Sequence, residues 1–314
     1  MDEELYKNFE GLPLFDFYNE ESVRSAKKYK PRHGDVILVA YPKSGCNWTH
    51  FIIWNIMTEG KQPNDVVELG LMSPFLEVTG AAAAENSRRT GPIVTHLPYS
   101  VFTPVDHAKY VYVARNPYDC AVSMYHFLKG LTPKTYTDVC FEKFLSLFLS
   151  GKAFYGDYFD HVLPWYEHRH QPNILLITYE QLKADTKGMV LKIAEFLGPE
   201  HYARICSDDT LLQRILDNCS MQSMKAILRD GVSARVKKVV ETTSDKSLQP
   251  VETIKKTSET NTEMHEGGHF VRKGLVGDWK NYFTSEEIAR TKKWITERTR
   301  GSDVMSLWDG VSLP

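Results

Sequence analysis

The sequence predicts an α/β fold, a single domain with a central parallel sheet flanked by helices, and three features carry that prediction. Four short runs, 36–40, 92–95, 110–114 and 173–178, are apolar without alternating polar positions, as strands covered on both faces are. Segments with helical apolar spacing lie between or after them, at 47–59, 117–130, 138–149, 156–169 and 186–197, so crossovers of right-handed sense are expected in place of hairpins. The 314 residues, 42% hydrophobic and 25% charged, suffice for one large core. No internal repeat is visible, and residues 1–314 are expected to form one domain with a long polar loop at about 233–263.

The first run, Val36 to Ala40, leads into Tyr41-Pro-Lys-Ser-Gly-Cys-Asn-Trp48 and then into a helical segment. A strand, a Gly-containing turn and a helix start place backbone N–H groups and the positive end of the helix dipole at one point, where a phosphate or sulfate can sit. The turn is P-loop-like only in part. Its lysine precedes the glycine and the full G-x-x-x-x-G-K-[ST] is absent, so a plain connection with a solvated lysine is the alternative.

The run at 92–95 ends in Thr95-His-Leu-Pro98, which puts His96 at a strand end. The run at 110–114 ends in Arg115, and Pro117 suits the first turn of the next helix. A strand-end arginine can hold a second phosphate in bidentate fashion, with Ser123 two turns into that helix; a local pair of Arg115 with Asp119 is the alternative. Leu191, Ala194, Phe196 and Leu197, followed by Gly198-Pro199, mark an amphipathic helix and its stop.

From 203 to 269 there is no Phe, Tyr or Trp, and 233–266 is rich in Lys, Thr, Ser and Glu, which predicts a mobile lid or insertion instead of a second domain. Phe270-Val-Arg-Lys-Gly-Leu-Val-Gly-Asp-Trp-Lys-Asn-Tyr-Phe-Thr284 then joins two adjacent cations to glycines that allow close backbone approach. Thr284-Ser-Glu-Glu287 is a capping-box start for a last long helix.

Composition narrows the function. Thirty-eight basic against forty acidic residues give a net charge of -2, which argues against bulk binding of nucleic acid. No apolar run approaches the roughly 18 residues of a membrane span. The acidic start Met1-Asp-Glu-Glu lacks a secretory pattern, so a cytoplasmic location without membrane association is expected. Five widely spaced cysteines without a C-x-x-C pair fit reduced thiols better than a disulfide framework or a zinc site.

Taken together, Tyr41-Pro-Lys-Ser-Gly-x-x-Trp48, Thr95-His-Leu-Pro98, Arg115-Asn-Pro-x-Asp-x-Ala-Val-Ser123, Tyr179-Glu180 and Arg272-Lys-Gly-x-x-Gly-Asp-Trp-Lys-Asn-x-Phe-Thr284 resemble the cytosolic sulfotransferase family over about residues 10–300. That family moves a sulfuryl group from 3′-phosphoadenosine 5′-phosphosulfate (PAPS) to small acceptors, leaving 3′-phosphoadenosine 5′-phosphate (PAP). The resemblance implies that Lys43, Ser44, Gly45, Cys46, Asn47 and Trp48 hold the 5′-phosphosulfate and the adenine edge. It implies that Arg115, Ser123, Arg272, Lys273 and Gly274 bind the 3′-phosphate, while Tyr179, Cys219, Ser220 and Met221 line the nucleoside.

By the same resemblance His96 is the base, and an imidazole suits proton removal at neutral pH. Lys43 stabilises charge growing on the leaving oxygen, and no metal is required. Expected acceptors are phenols, catechol amines or other small hydroxyl compounds, with Phe15, Phe17, Phe75, Tyr125 and Phe127 surrounding His96.

Three positions depart from the family pattern. Val94 stands where a lysine is usual, Cys46-Asn47 replaces Thr-Thr, and the dimerisation pattern is degraded to Lys280…Thr284-Ser285…Ala289, so a homodimer is possible but lacks its usual signature. Cys46, at a helix N-terminus near cations, is expected to have a lowered pKa and to be oxidation-sensitive unless nucleotide protects it. Two other readings stay open. A kinase-like phosphotransferase would want Gly-Lys-[Ser/Thr] and a Mg²⁺-binding carboxylate, and a PAPS- or PAP-binding protein with little transfer activity is the other.

Overall fold

A computed structural model describes residues 6–15, 18–131, 138–228 and 272–314. A small hairpin of β1 (Lys7–Phe9) and β2 (Leu12–Leu14) precedes α1 (Glu20–Lys28), which Asn19 caps through the Ser22 amide. The central sheet has four parallel strands, β3 (Val36–Ala40), β4 (Ile93–Thr95), β5 (Lys109–Ala114) and β6 (Ile174–Thr178), in the spatial order β4-β3-β5-β6. All four expected strands form, and each of the five expected helices forms within a few residues of its expected ends.

Why both faces are covered follows from the strand residues themselves. Ile37, Val39, Tyr110, Tyr112 and Ala114 point to one face and Val36, Leu38, Ala40, Val111 and Val113 to the other, as the two-residue strand period requires. The first face is aromatic, with Tyr41, Tyr158, Phe148 and Trp165 fully buried against it. The second is aliphatic and packs under α2 (Cys46–Met57) and α10 (Thr186–Leu197). Burying each of these large side chains contributes about 1.5–3 kcal/mol.

The sequence left several elements unassigned. Between β3 and β4 lie α3 (Val66–Met72), α4 (Leu76–Thr79) and α5 (Ala81–Ala84). After β5 come the three expected helices α6 (Pro117–Leu131), α7 (Phe141–Leu149) and α8 (Tyr158–Glu167), and a short unassigned α9 (Tyr179–Ala184) follows β6. The first part of the aromatic-poor region is ordered as helix: α11 (Pro199–Ser207), α12 (Asp209–Asn218) and α13 (Met221–Ile227). Leu211, Leu212 and Ile215 supply its buried face, so aliphatic residues do there what aromatics do elsewhere. The expected polar loop at 233–263 lies outside the described residues. The final helix α14 (Ser285–Arg298) starts on the expected Thr284/Glu287 capping box.

The strand order fixes where a ligand can enter. The chain leaves β3 toward β4 on one side and leaves β5 toward β6 on the other, so the carboxyl ends of β3 and β5 flank the switch point of the sheet, where open α/β folds form their crevice. Lys43 follows the first of these strands and Arg115 the second.

Candidate active site

A cavity of about 880 Å³ opens at that crevice. It is lined by Lys43, Gly45, Cys46, Asn47, Trp48, His96, Arg115, Ser123, Tyr179, Cys219, Ser220, Met221, Arg272, Lys273 and Gly274. Every site residue expected from the sequence is therefore in its wall except Ser44. That side chain is fully buried beneath the turn, 3.8 Å from Cys120 Sγ, and its amide donates to Tyr41 O.

The turn after β3 has the geometry of an anion cradle. Lys43 and Gly45 both take positive φ, 71° and 106°, and α2 begins at Cys46 with no side chain capping its first amides. Gly45 is required for a second reason, since a Cβ there would stand 2.8 Å from Tyr179 Cδ2. Lys43 Nζ lies 4.6 Å from the centre of the Phe127 ring. Burial, with help from the nearby Arg115 charge, lowers the Lys43 pKa to about 8, which keeps it mainly cationic at neutral pH.

A second cationic group faces the same space. Arg115 stacks over the Tyr179 ring at 4.4 Å, and its Nη2 donates to Leu275 O. Asp119 does not pair with it. The Asp119 carboxylate instead accepts from the Gly277 and Trp279 amides and from Asn116 Nδ2, pinning the C-terminal segment to the start of α6. Asp278 grips Arg272 and Lys273 at 2.5 and 2.9 Å. Burial alone would raise its pKa, but hydrogen bonds from Lys273, Arg272 and Asn281 hold it at about 2. Gly274 brings this segment against Met221, where a Cβ would come within 2.2 Å of Met221 Cε.

Several buried donors in this wall have no partner among the described residues: Trp48 Nε1, Arg115 Nε and Arg272 Nη1. Left unpaired, each such group costs about 1–3 kcal/mol, so their convergence fits a ligand with anionic oxygens. His126, one turn beyond Ser123 on α6, also lines the cavity with an unpartnered Nε2.

His96 stands in the wall of the same cavity, close enough to Lys43 to feel its charge. Its Nδ1 is 2.6 Å from Ala40 O; a carbonyl only accepts, so Nδ1 carries the hydrogen and Nε2 keeps its lone pair. His161 Nε2 donates to His96 O at 3.0 Å and is itself fixed by Tyr112 Oη on Nδ1. Phe75 and Tyr155 flank the imidazole edge-on at 5.1 and 5.4 Å. Burial pushes its pKa down to about 3, so the ring is neutral at physiological pH.

Two expectations change here. Cys46 is not acidified: burial first, and the Glu77 carboxyl second, push its thiol up to about 12, and Lys43 offsets only part of that. Of the aromatics expected around His96, Phe75 and Phe127 line the cavity, whereas Phe15 is core beneath Phe154 and Tyr125 packs on Phe141 and Phe144. Phe17 lies outside the described residues. Tyr18, Phe154, Lys183 and His126 line the cavity, and Glu77, Tyr155 and His161 support His96. None of these was singled out from the sequence, because each is recruited by tertiary packing and belongs to no local motif. Val94 is in the wall, so the position without its lysine does border the cavity.

A family model described as a sulfotransferase domain matches residues 33–229 and 228–303. Sulfotransferase 2A1 of the rat (Rattus norvegicus) is 32% identical over 94% of this chain and 96% of its own length. The amine sulfotransferase of the rabbit (Oryctolagus cuniculus) is 30% identical over 90% and 86%. Among solved structures, mouse sulfotransferase SULT7A1 complexed with PAP superposes with a TM-score of 0.70 and 32% identity, covering 96% of this chain and 98% of that one. The chain belongs to the sulfotransferase family.

Proposed function

We propose that this protein transfers a sulfuryl group from PAPS to the hydroxyl of a small acceptor, a phenol or catechol amine being the first choice, and that residues 1–314 act as one domain. The observation that carries the reading is the convergence, in one cavity, of Lys43, Arg115, Arg272 and Lys273 with the lone pair of His96. The donor supplies a sulfur already activated by a phosphate leaving group and carries a second phosphate at its 3′ end. Its affinity for this chain is supported by the buried, unpartnered donors in the cavity wall and by the PAP complex of the mouse relative.

In this reading Arg115, Ser123, Arg272, Lys273 and Gly274 hold the 3′-phosphate. Trp48, Tyr179, Cys219, Ser220 and Met221 enclose the nucleoside, and the amides after Gly45 receive the 5′ end. His96 Nε2 takes the proton as the acceptor oxygen forms its bond to sulfur. Lys43 stabilises negative charge on the departing oxygen, an interaction stronger in the transition state than before it. Tyr18, Phe75, Phe127 and Phe154 supply an apolar wall on the acceptor side. No described helix is long and apolar enough to cross a membrane.

The test is transfer of labelled sulfate from PAPS to a panel of phenols, catechol amines and sterols, with and without chelator. Chelator-resistant turnover on any panel member supports the reading. A requirement for Mg²⁺ with a nucleoside triphosphate donor would replace it by a phosphotransferase, and tight PAP binding without turnover on any hydroxyl would leave a binding protein.

A further inference from the structure

Beside His96, and outside every motif described above, stands a carboxyl group that the proposed reaction does not use. Glu77, in α4, is fully buried. Its Oε1 accepts from the His96 amide at 2.6 Å and from Tyr155 Oη at 3.0 Å, and its Oε2 has no hydrogen-bond partner among the described residues. The amide and the imidazole of His96 are separated only by Cα and Cβ, so the carboxyl stands within about 6 Å of the ring.

A buried carboxyl with one oxygen unsatisfied is costly, and a neutral alternative would be easier to bury. The cost makes sense if a positive charge arises next to it during turnover. His96 needs such help, because burial above all, and to a lesser degree the nearby His161 and Lys43, disfavour a positive charge on its ring, with only the Ala40 carbonyl acting the other way. Removing the acceptor proton nonetheless makes His96 an imidazolium.

We propose, on the basis of the sulfuryl-transfer reading, that Glu77 is a positioning residue that serves as the counter-ion of that imidazolium. The acceptor O–H bond breaks and its proton moves to His96 Nε2. The electron pair of that bond forms the new bond to sulfur, and the bond from sulfur to the 5′-phosphate oxygen breaks with its pair leaving on PAP. Glu77 takes no proton in this step; it holds the His96 main chain and offers its charge.

The role implies a pH dependence. Burial raises the Glu77 pKa to about 7, while the His96 amide, the Thr95 hydroxyl and Tyr155 each pull it down. The groups that face it are Thr95 and His96 from the end of β4, Tyr155 from the 150–157 loop, Tyr18 from the segment before α1, and Cys46 at the start of α2. Below pH 7 the carboxyl is neutral and gives the imidazolium no counter-charge; above it the carboxylate is present and the rate rises.

The experiment is a kcat profile from pH 5.5 to 8.5 for the wild type, Glu77→Gln and Tyr155→Phe, with PAP affinity measured for each. Glutamine has the same shape and its carbonyl can accept both hydrogen bonds, so PAP affinity should hold within twofold. Expected for Glu77→Gln is loss of the rise near pH 7 and a kcat lower by on the order of 10- to 100-fold at pH 8, since a nearby opposite charge moves a pKa by about 1–3 units. Tyr155→Phe removes one hydrogen bond to the carboxylate and should move the midpoint of the rise to higher pH. A Glu77→Gln profile that keeps the rise, or falls equally at all pH, overturns the counter-ion role, as does an unmoved midpoint in Tyr155→Phe. If the wild type itself fails to transfer sulfate, the reaction falls and this role with it.

Discussion

The cationic part of the cavity and the His96 part are built in opposite ways. In the cationic part each contributing group sits in a contiguous motif: the turn after β3, the Arg115 strand end with Ser123 on the following helix, and the Arg272-Lys273-Gly274 segment. Around His96 the supporting groups come from far apart in the chain, Glu77 from α4, Tyr155 from a loop, His161 from α8 and Ala40 from β3. Anion binding needs N–H groups and charges at a turn, which a short stretch can supply. A neutral, oriented imidazole in a dry setting needs the fold.

This division predicts different losses in the two parts. Replacing His96 by Ala should lower kcat by about 10²–10⁴ and leave PAP affinity unchanged, as single-turnover rates beside calorimetry would show; an affinity loss of similar size would erase the distinction between the parts. Lys43→Ala should lower kcat by about 10²–10³, with a smaller effect on PAP than on the rate, because its charge is needed most as the leaving oxygen becomes anionic. A PAP affinity loss equal to the rate loss would make Lys43 a pure binding group.

How legible each part was in the sequence follows the same line. The four strands of the sheet, the capping box of α14 and the cations at 43, 115, 272 and 273 were all readable, because local pattern determines them. Helices α11 to α13 were not, since their aliphatic buried face carries no aromatic marker. Glu77 was unreadable for a different reason. It sits in a four-residue helix, and only tertiary packing brings its carboxyl to the His96 amide. The sequence also suggested an acidified Cys46 from its place at a helix start, yet desolvation by the finished core, with the Glu77 carboxyl, outweighs the Lys43 charge.

Smaller effects sharpen the comparison. Arg115→Ala should weaken PAP binding by about 10- to 100-fold, the range for a hydrogen bond to a charged group, with kcat at saturating donor nearly unchanged. Val94→Lys tests the junction of the two parts. The new ammonium should tighten PAP binding a few fold and lower the melting temperature, because Val94 is 5% exposed and a charge there loses hydration. A gain in stability with no change in affinity would separate this position from the anion site.

The most direct test of one cavity holding one ligand by two anionic ends is calorimetric titration of the protein with PAP, with adenosine 5′-phosphate and with adenosine 3′-phosphate, repeated on Arg272→Ala. The expected result is that PAP binds at least about tenfold more tightly than either monophosphate, since each end adds charged hydrogen bonds, and that Arg272→Ala removes most of the advantage over adenosine 5′-phosphate. Equal affinity for PAP and adenosine 5′-phosphate in the wild type would contradict the second anion site and the donor assigned to it.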